Sequence, residues 1–130
     1  MPAETDLRAL LAGIDPILHE DEFVWCTAAQ IDTALDPVCT FREREGITLI
    51  VRRADAERHG LPFTYPCRMI TLNVQSSLYA VGLLAAITAM LARADISVNA
   101  VSAYFHDHLF VRGEDAERAM AVLLSPTAPR

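Results

Sequence analysis

The sequence predicts an α+β fold built of two similar halves, each a small antiparallel sheet with helices on one face. Three observations carry that prediction. Stretches of period-two alternation recur, as where Ile70, Leu72 and Val74 alternate with Thr71, Asn73 and Gln75. Stretches of helical period lie between them, the longest marked by Leu83, Leu84, Ile87, Met90 and Leu91. The order β, α, β, β, α then occurs twice along the chain, and the echo is read in element order rather than in letters.

In chain order, Leu7, Leu10, Leu11 and Ile14 keep helical spacing until Gly13 and Pro16 end a short packing helix. Phe23, Trp25 and Thr27 against Val24, Cys26 and Ala28 predict a strand, and residues 30–35 one or two helical turns before Pro37. Residues 38–44 and 47–53 predict two strands joined at Glu45-Gly46, and residues 54–59 a helix closed by Gly60. Residues 61–65, flanked by Pro62 and Pro66, either link the halves or supply an edge strand, where a missing N–H does no harm.

The second half repeats the order. Its strand passes at Ser76 and Ser77 into a helix over residues 78–94, closed by Asp95. Residues 96–105 form the next strand, a turn follows at His106-Asp107, and residues 108–112 return. Ala116, Ala119, Met120 and Leu123 mark the buried stripe of a last helix. Each half therefore has the order of a split βαβ, ferredoxin-like unit. The divisions expected are an N-terminal helix (1–16), a first half (17–65), a second half (66–124) and a tail (125–130). The second half lacks a fourth strand, which either the N-terminal half or another subunit supplies. The core expected is Ile70, Leu72, Val74, Leu84, Ile87, Leu91, Val98 and Leu109.

Composition narrows the functions. With 130 residues and 52% of them hydrophobic, the chain can bury a core but has little left for an elaborate active site. A net charge of −6 argues against nucleic acid, whose phosphates need clustered cations. All 11 cations are arginine, so a Schiff base, a P-loop lysine and a lysine base are excluded. The 3 cysteines, Cys26, Cys39 and Cys67, form no CxxC and sit in apolar contexts, as reduced cytoplasmic thiols do. Residues 69–92 carry no charge, yet Asn73, Gln75, Ser76 and Ser77 leave a helix short of the ~20 residues a bilayer needs.

Three groupings could carry chemistry. His106-Asp107-His108 has zinc-ligand types, but a turn there points the imidazoles apart, so no metal is expected. Glu43 and Glu45, interleaved with Arg42 and Arg44, could serve as acid and base, although alternating signs on a hairpin tip suit a solvated surface. At residues 75–78 a strand hands over to a helix, where free N–H groups can hold a carboxylate or phosphate, or a serine can simply cap its own helix.

The run Val81-Gly82-Leu83-Leu84-Ala85-Ala86-Ile87, then Leu91, then Ile96-Ser97-Val98-Asn99 and Val101-Ser102, resembles the signature of ACT domains, regulatory modules that bind amino acids in biosynthetic enzymes. With the upstream EREGITL and FVWCT pieces, the chain resembles free-standing bacterial proteins of two ACT halves, related to the regulatory tails of aspartokinases. Where that family often has Asp or Asn and Pro before the glycine, this chain has Gln75-Ser76-Ser77 further upstream.

The resemblance implies a binding module without catalytic activity and without a cofactor, taking an amino acid or similar small carboxylate beside the 75–78 turn. The carboxylate would dock on the backbone N–H groups of Ser77 and Leu78 with the Ser76 hydroxyl assisting, Gln75 would belong to the same binding turn, Tyr79, Val81 and Gly82 would line the pocket, and Asn99 with Val101 would face it. With the usual acid missing, the Asn99 side-chain oxygen or strand carbonyls would take the amine. The other reading is a structural domain whose halves only dimerise. A homodimer is expected on either, because Ala85, Ala86, Ala89 and Ala92 leave the long helix an apolar outer surface.

Overall fold

A computed structural model describes residues 7–74 and 78–125. The chain divides into two compact units, residues 20–68 and residues 1–19 with 69–130.

In the unit of residues 20–68, β1 (Pro16–Ala28, here from residue 20) leads through a 3-10 turn (Thr33–Leu35) to β2 (Cys39–Arg42), β3 (Ile47–Arg52) and α2 (Arg53–Arg58). It closes on the first residues of β4 (Thr64–Leu72), so the proline-flanked segment becomes strand. The strand order is β2-β3-β1-β4, that of a split βαβ sheet. Val24 lies opposite Val51, Cys26 opposite Leu49 and Ala28 opposite Ile47 in the antiparallel β1–β3 pair. Those alternate positions share one face, and with Leu35 and Ala56 they make the core of this unit.

Local chemistry explains two departures from the expected boundaries. The helix over residues 30–35 is only a 3-10 turn: Asp32 caps it by accepting from the Ala34 N–H at 3.0 Å, and Asp36 leaves it in the left-handed region at φ 47° just before Pro37. The β2–β3 turn is centred on Arg44-Glu45, one residue early, because Glu43 and Gly46 exchange backbone bonds of 3.0 and 3.3 Å. Gly46 serves there through size, since a Cβ would stand 2.8 Å from Thr27 Oγ1. The tip carboxylates Glu43 and Glu45 are exposed, and Glu43 accepts from the Thr48 hydroxyl at 2.7 Å. All three cysteines are free. Burial pushes the Cys67 thiol up to about 11 and raises Cys26 and Cys39 as well, which keeps them protonated near neutrality.

The second unit comprises α1 (Leu7–Ala12), residues 16–19 of β1, residues 69–72 of β4, α3 (Leu83–Arg93), β5 (Val98–Ser102), β6 (Asp107–Arg112), a 3-10 turn (Gly113–Asp115) and α4 (Ala116–Leu124). Its order is β1-β4-β6-β5. The missing fourth strand is thus the start of β1, from the same chain. Asp15 O accepts from the Asn73 N–H at 3.1 Å, and His19 Nε2 lies 2.7 Å from the Thr71 hydroxyl. In the core, Ile70, Leu72, Ile87, Leu91 and Leu109 are buried with Leu10, Leu11 and Ile14 of the N-terminal segment, while Val74, Leu84 and Val98 pack against them half-buried.

The long helix starts at Leu83 rather than at residue 78. Gly82, its N-cap, stands at φ 96°, outside the helical region and open to glycine almost alone. At the other end Asp95 (φ 61°) turns the chain out, and the Ile96 N–H bonds Leu91 O at 2.9 Å. The strand expected to run to Phe105 stops at Ser102. Residues 103–106 form the turn instead, closed by the Ala103 N–H to His106 O at 3.0 Å.

The two units also repeat in letters, contrary to the reading that the echo lies in element order alone. Val-Arg-x-x-Asp-Ala-Glu-Arg occurs at residues 51–58 and again at 111–118. In each copy a strand delivers an arginine, and the following turn buries an aspartate between it and a second arginine. Asp55 meets Arg52 Nε at 3.1 Å and also pairs with Arg58. Asp115 meets Arg112 Nε at 2.9 Å and Arg118 at 3.0 Å, and Arg118 also donates to Ala94 O, at the end of α3, at 2.8 Å. Ala56 and Ala116, the next residues, are both buried.

Candidate functional site

Within the second unit a cavity of about 90 Å3 opens between the start of α3 and the β5–β6 turn. Leu78, Ala80, Leu83 and Leu84 form its apolar wall, and Ser102, Ala103, His106 and Asp107 form the other side. Several waters would fill it, whereas drug-sized ligands need roughly 300 Å3 or more, so its measure is that of a very small molecule. The first N–H groups of α3 have no acceptor within the helix and carry the positive end of its dipole.

Strand register decides which residues reach this cavity. In the β5–β6 pair Val98 lies opposite Val111, Ala100 opposite Leu109 and Ser102 opposite Asp107. Leu109 and Val111 belong to the core beneath the helices, so alternation puts Ser102 and Asp107 on the helix face. Asn99 and Val101, opposite Phe110 and His108, belong to the other face.

The expected site residues are accordingly dispersed. Gln75, Ser76 and Ser77 lie outside the described residues. Leu78 lines the cavity, whereas Tyr79 and Val81 are 90% and 84% exposed beside it, and Gly82 caps α3. Asn99 is exposed and Val101 half-buried, and neither lines this cavity, because both lie on the other face of β5. Ser102, His106 and Asp107 hold the polar positions instead. The histidine motif contains two of them, but the apolar and aromatic run continues in sequence to Phe105 and so hides the end of β5 at Ser102.

Two polar features complete the site. His106 Nδ1 is buried and meets no hydrogen-bond partner among the described residues. Behind it, His108 Nδ1 lies 2.9 Å from the Thr71 hydroxyl, which joins it to His19. Burial lowers the His108 pKa, and His106 and His19 add to the effect while Asp107 opposes it. Among the described residues no group of three or more His, Cys, Asp or Glu side chains is placed to hold a metal ion, and no helix is long and apolar enough to cross a membrane.

Family models of the ACT domain match residues 2–68 and 64–125 in tandem. The chain belongs to the ACT domain family. A protein of unknown function from Vibrio cholerae, described as a possible transport protein, is 39% identical over 90% of this chain and 92% of its own, with a TM-score of 0.82. The ligand-free regulatory subunit of aspartate kinase from Thermus thermophilus covers 90% of this chain and 99% of its own at 8% identity and a TM-score of 0.65. A structure of aspartokinase alpha and beta subunits covers 83% and 93% at 11% identity and a TM-score of 0.64. At those last two identities the likeness is one of fold. No curated protein matches the chain. The tandem ACT architecture, ferredoxin-like in each half, therefore holds for this protein.

Proposed function

We propose that this tandem ACT protein is a regulatory module that binds a free amino acid at the cavity between α3 and the β5–β6 turn, without catalytic activity of its own. The observation that carries the reading is the cavity itself. It joins a helix N-terminus, an apolar wall and a polar wall that includes one buried imidazole nitrogen, within a volume too small for a nucleotide. The ligand carboxylate docks on the N–H groups at the start of α3, and a small side chain lies on Leu78, Leu83 and Leu84. Likeness in fold to the regulatory subunit of aspartate kinase from Thermus thermophilus supports the same reading. Three free thiols suit a reducing cytoplasm.

Thermal shift against the twenty amino acids at millimolar concentration tests it. A ligand at about 100 times its Kd stabilises by ~2.7 kcal/mol, a rise of several degrees in a domain this size. If no amino acid or small carboxylate moves the transition, the module binds none and the interaction-domain reading takes its place.

A second copy of the chain covers the site in this proposal. Leu78, Tyr79, Val81, Tyr104 and Phe105 are 62–90% exposed, and they lie on the two segments that line the cavity. β5 is the last strand in its unit's order, so one of its edges pairs with no other strand of that unit. The alanine face of α3 contributes less than expected, because Ala86 is in the core and only Ala85 and Ala92 are exposed. Sedimentation should show a dimer at micromolar concentration that the double change Tyr104→Ser, Phe105→Ser weakens at least tenfold. A wild-type monomer under those conditions removes the dimer.

A further inference from the structure

We infer that the cavity recognises a primary ammonium group, through Asp107, Ser102 and His106 acting together. The inference rests on the amino-acid reading of the site and names the chemistry that selects the ligand. A primary ammonium carries three N–H donors and no acceptor, so it is fully satisfied only by three acceptors. The polar wall supplies that number. Asp107 offers its carboxylate oxygens, Ser102 has lone pairs on its hydroxyl, and an imidazole with its proton on Nε2 accepts at Nδ1.

The fold brings the three together for reasons already seen. Ser102 and Asp107 are cross-strand partners at the open end of the β5–β6 pair, and their common face is the one covered by α3. His106 ends the turn between them, and its Nδ1 is the buried nitrogen that meets no partner among the described residues. A buried acceptor left unmade is costly, and an ammonium N–H satisfies it. Among the described residues that line the cavity, Asp107 is the only acidic side chain, and it sets a carboxyl group opposite the positive end of the α3 dipole. A zwitterion fits that polarity in one orientation, amine toward β6 and carboxylate toward α3. Secondary amines such as proline have two N–H donors and leave one acceptor unpaired. The site therefore discriminates against proline, N-methyl amino acids and α-hydroxy acids.

The test titrates isotope-labelled protein with n-propylammonium chloride and with propyltrimethylammonium chloride, following the backbone signals of Ser102, His106 and Asp107 and the His106 ring by NMR. The primary amine is expected to move these signals in a saturable way and the trimethyl compound to leave them unchanged. Asp107→Asn keeps shape and removes charge, and it should weaken the amine about tenfold, the loss expected for one charge-assisted hydrogen bond. Its unchanged melting point would show that the loss is local. Propylammonium that fails to move these signals, or a trimethyl compound that moves them equally, overturns the inference. So does an Asp107→Asn variant that binds as well as wild type. The amino-acid panel reports separately: amine binding with no amino-acid response refutes the functional reading alone, and amino-acid binding that ignores Asp107→Asn refutes this inference alone.

Discussion

Ile87→Ala will destabilise the protein by about 2–5 kcal/mol, while Leu84→Ala, three residues earlier on the same helix, will cost clearly less. Both leucine and isoleucine belong to the apolar stripe of α3, and sequence periodicity alone ranks them equally. The structure separates them. Ile87 is fully buried among Ile70, Leu72, Leu91 and Leu109, so truncation leaves a void that the sheet beneath cannot fill. Leu84 is half-buried on the first turn, at the cavity wall, where solvent or ligand occupies the space it vacates. Urea unfolding of the two variants at equal protein concentration measures the difference. Equal losses would mean that the cavity edge is packed like the core.

The second large effect concerns Asp115. Replacing it by Asn should lower the melting temperature more than removal of either arginine partner alone, because the carboxylate is the shared member of the cluster. The Arg118 hydrogen bond, with Arg112 adding to it, holds the Asp115 carboxyl below its ordinary value of 3.8, against the opposing effect of burial. Asp55 is lowered in the same way, first by Arg52 and then by Arg58. The sign follows from linkage. A group whose folded pKa is depressed adds stability that is fully present above the unfolded value and is lost as pH falls through the folded one. Wild type should therefore lose stability steeply below about pH 4, and Asp115→Asn should show a shallower acid limb from a lower plateau. Superimposable melting curves from pH 7 to pH 3 would show that the aspartate contributes nothing. Asp55→Asn offers an independent copy of the same test in the other unit.

What these variants share is a residue whose role is half legible in the chain. Val-Arg-x-x-Asp-Ala-Glu-Arg can be found by aligning the sequence on itself with an offset of sixty residues. Its function as a strand-to-helix clamp cannot, because an aspartate three residues from two arginines on a helix start is equally compatible with a solvated surface. Burial, at 5% exposure for Asp55 and 4% for Asp115, makes it a clamp.

The sequence by itself determined the class of fold, the doubled order of elements and the buried stripe around Ile87 and Leu91, because periods of 2 and 3.6 are properties of local backbone geometry. It also determined the ACT membership, through the spacing of Gly82, Leu91 and the Ile96-Ser97-Val98-Asn99 run. Only the tertiary structure decided which face of β5 meets the helix, since moving a strand's register by one residue exchanges its faces, and register is set by pairing with β6. That register puts Ser102 and Asp107, and not Asn99, on the face that lines the cavity. The start of α3 at Leu83 and the completion of the second sheet by residues 16–19 were decided in the same way. The first depends on the positive φ that Gly82 adopts, the second on hydrogen bonds between segments more than fifty residues apart, and no local period carries either.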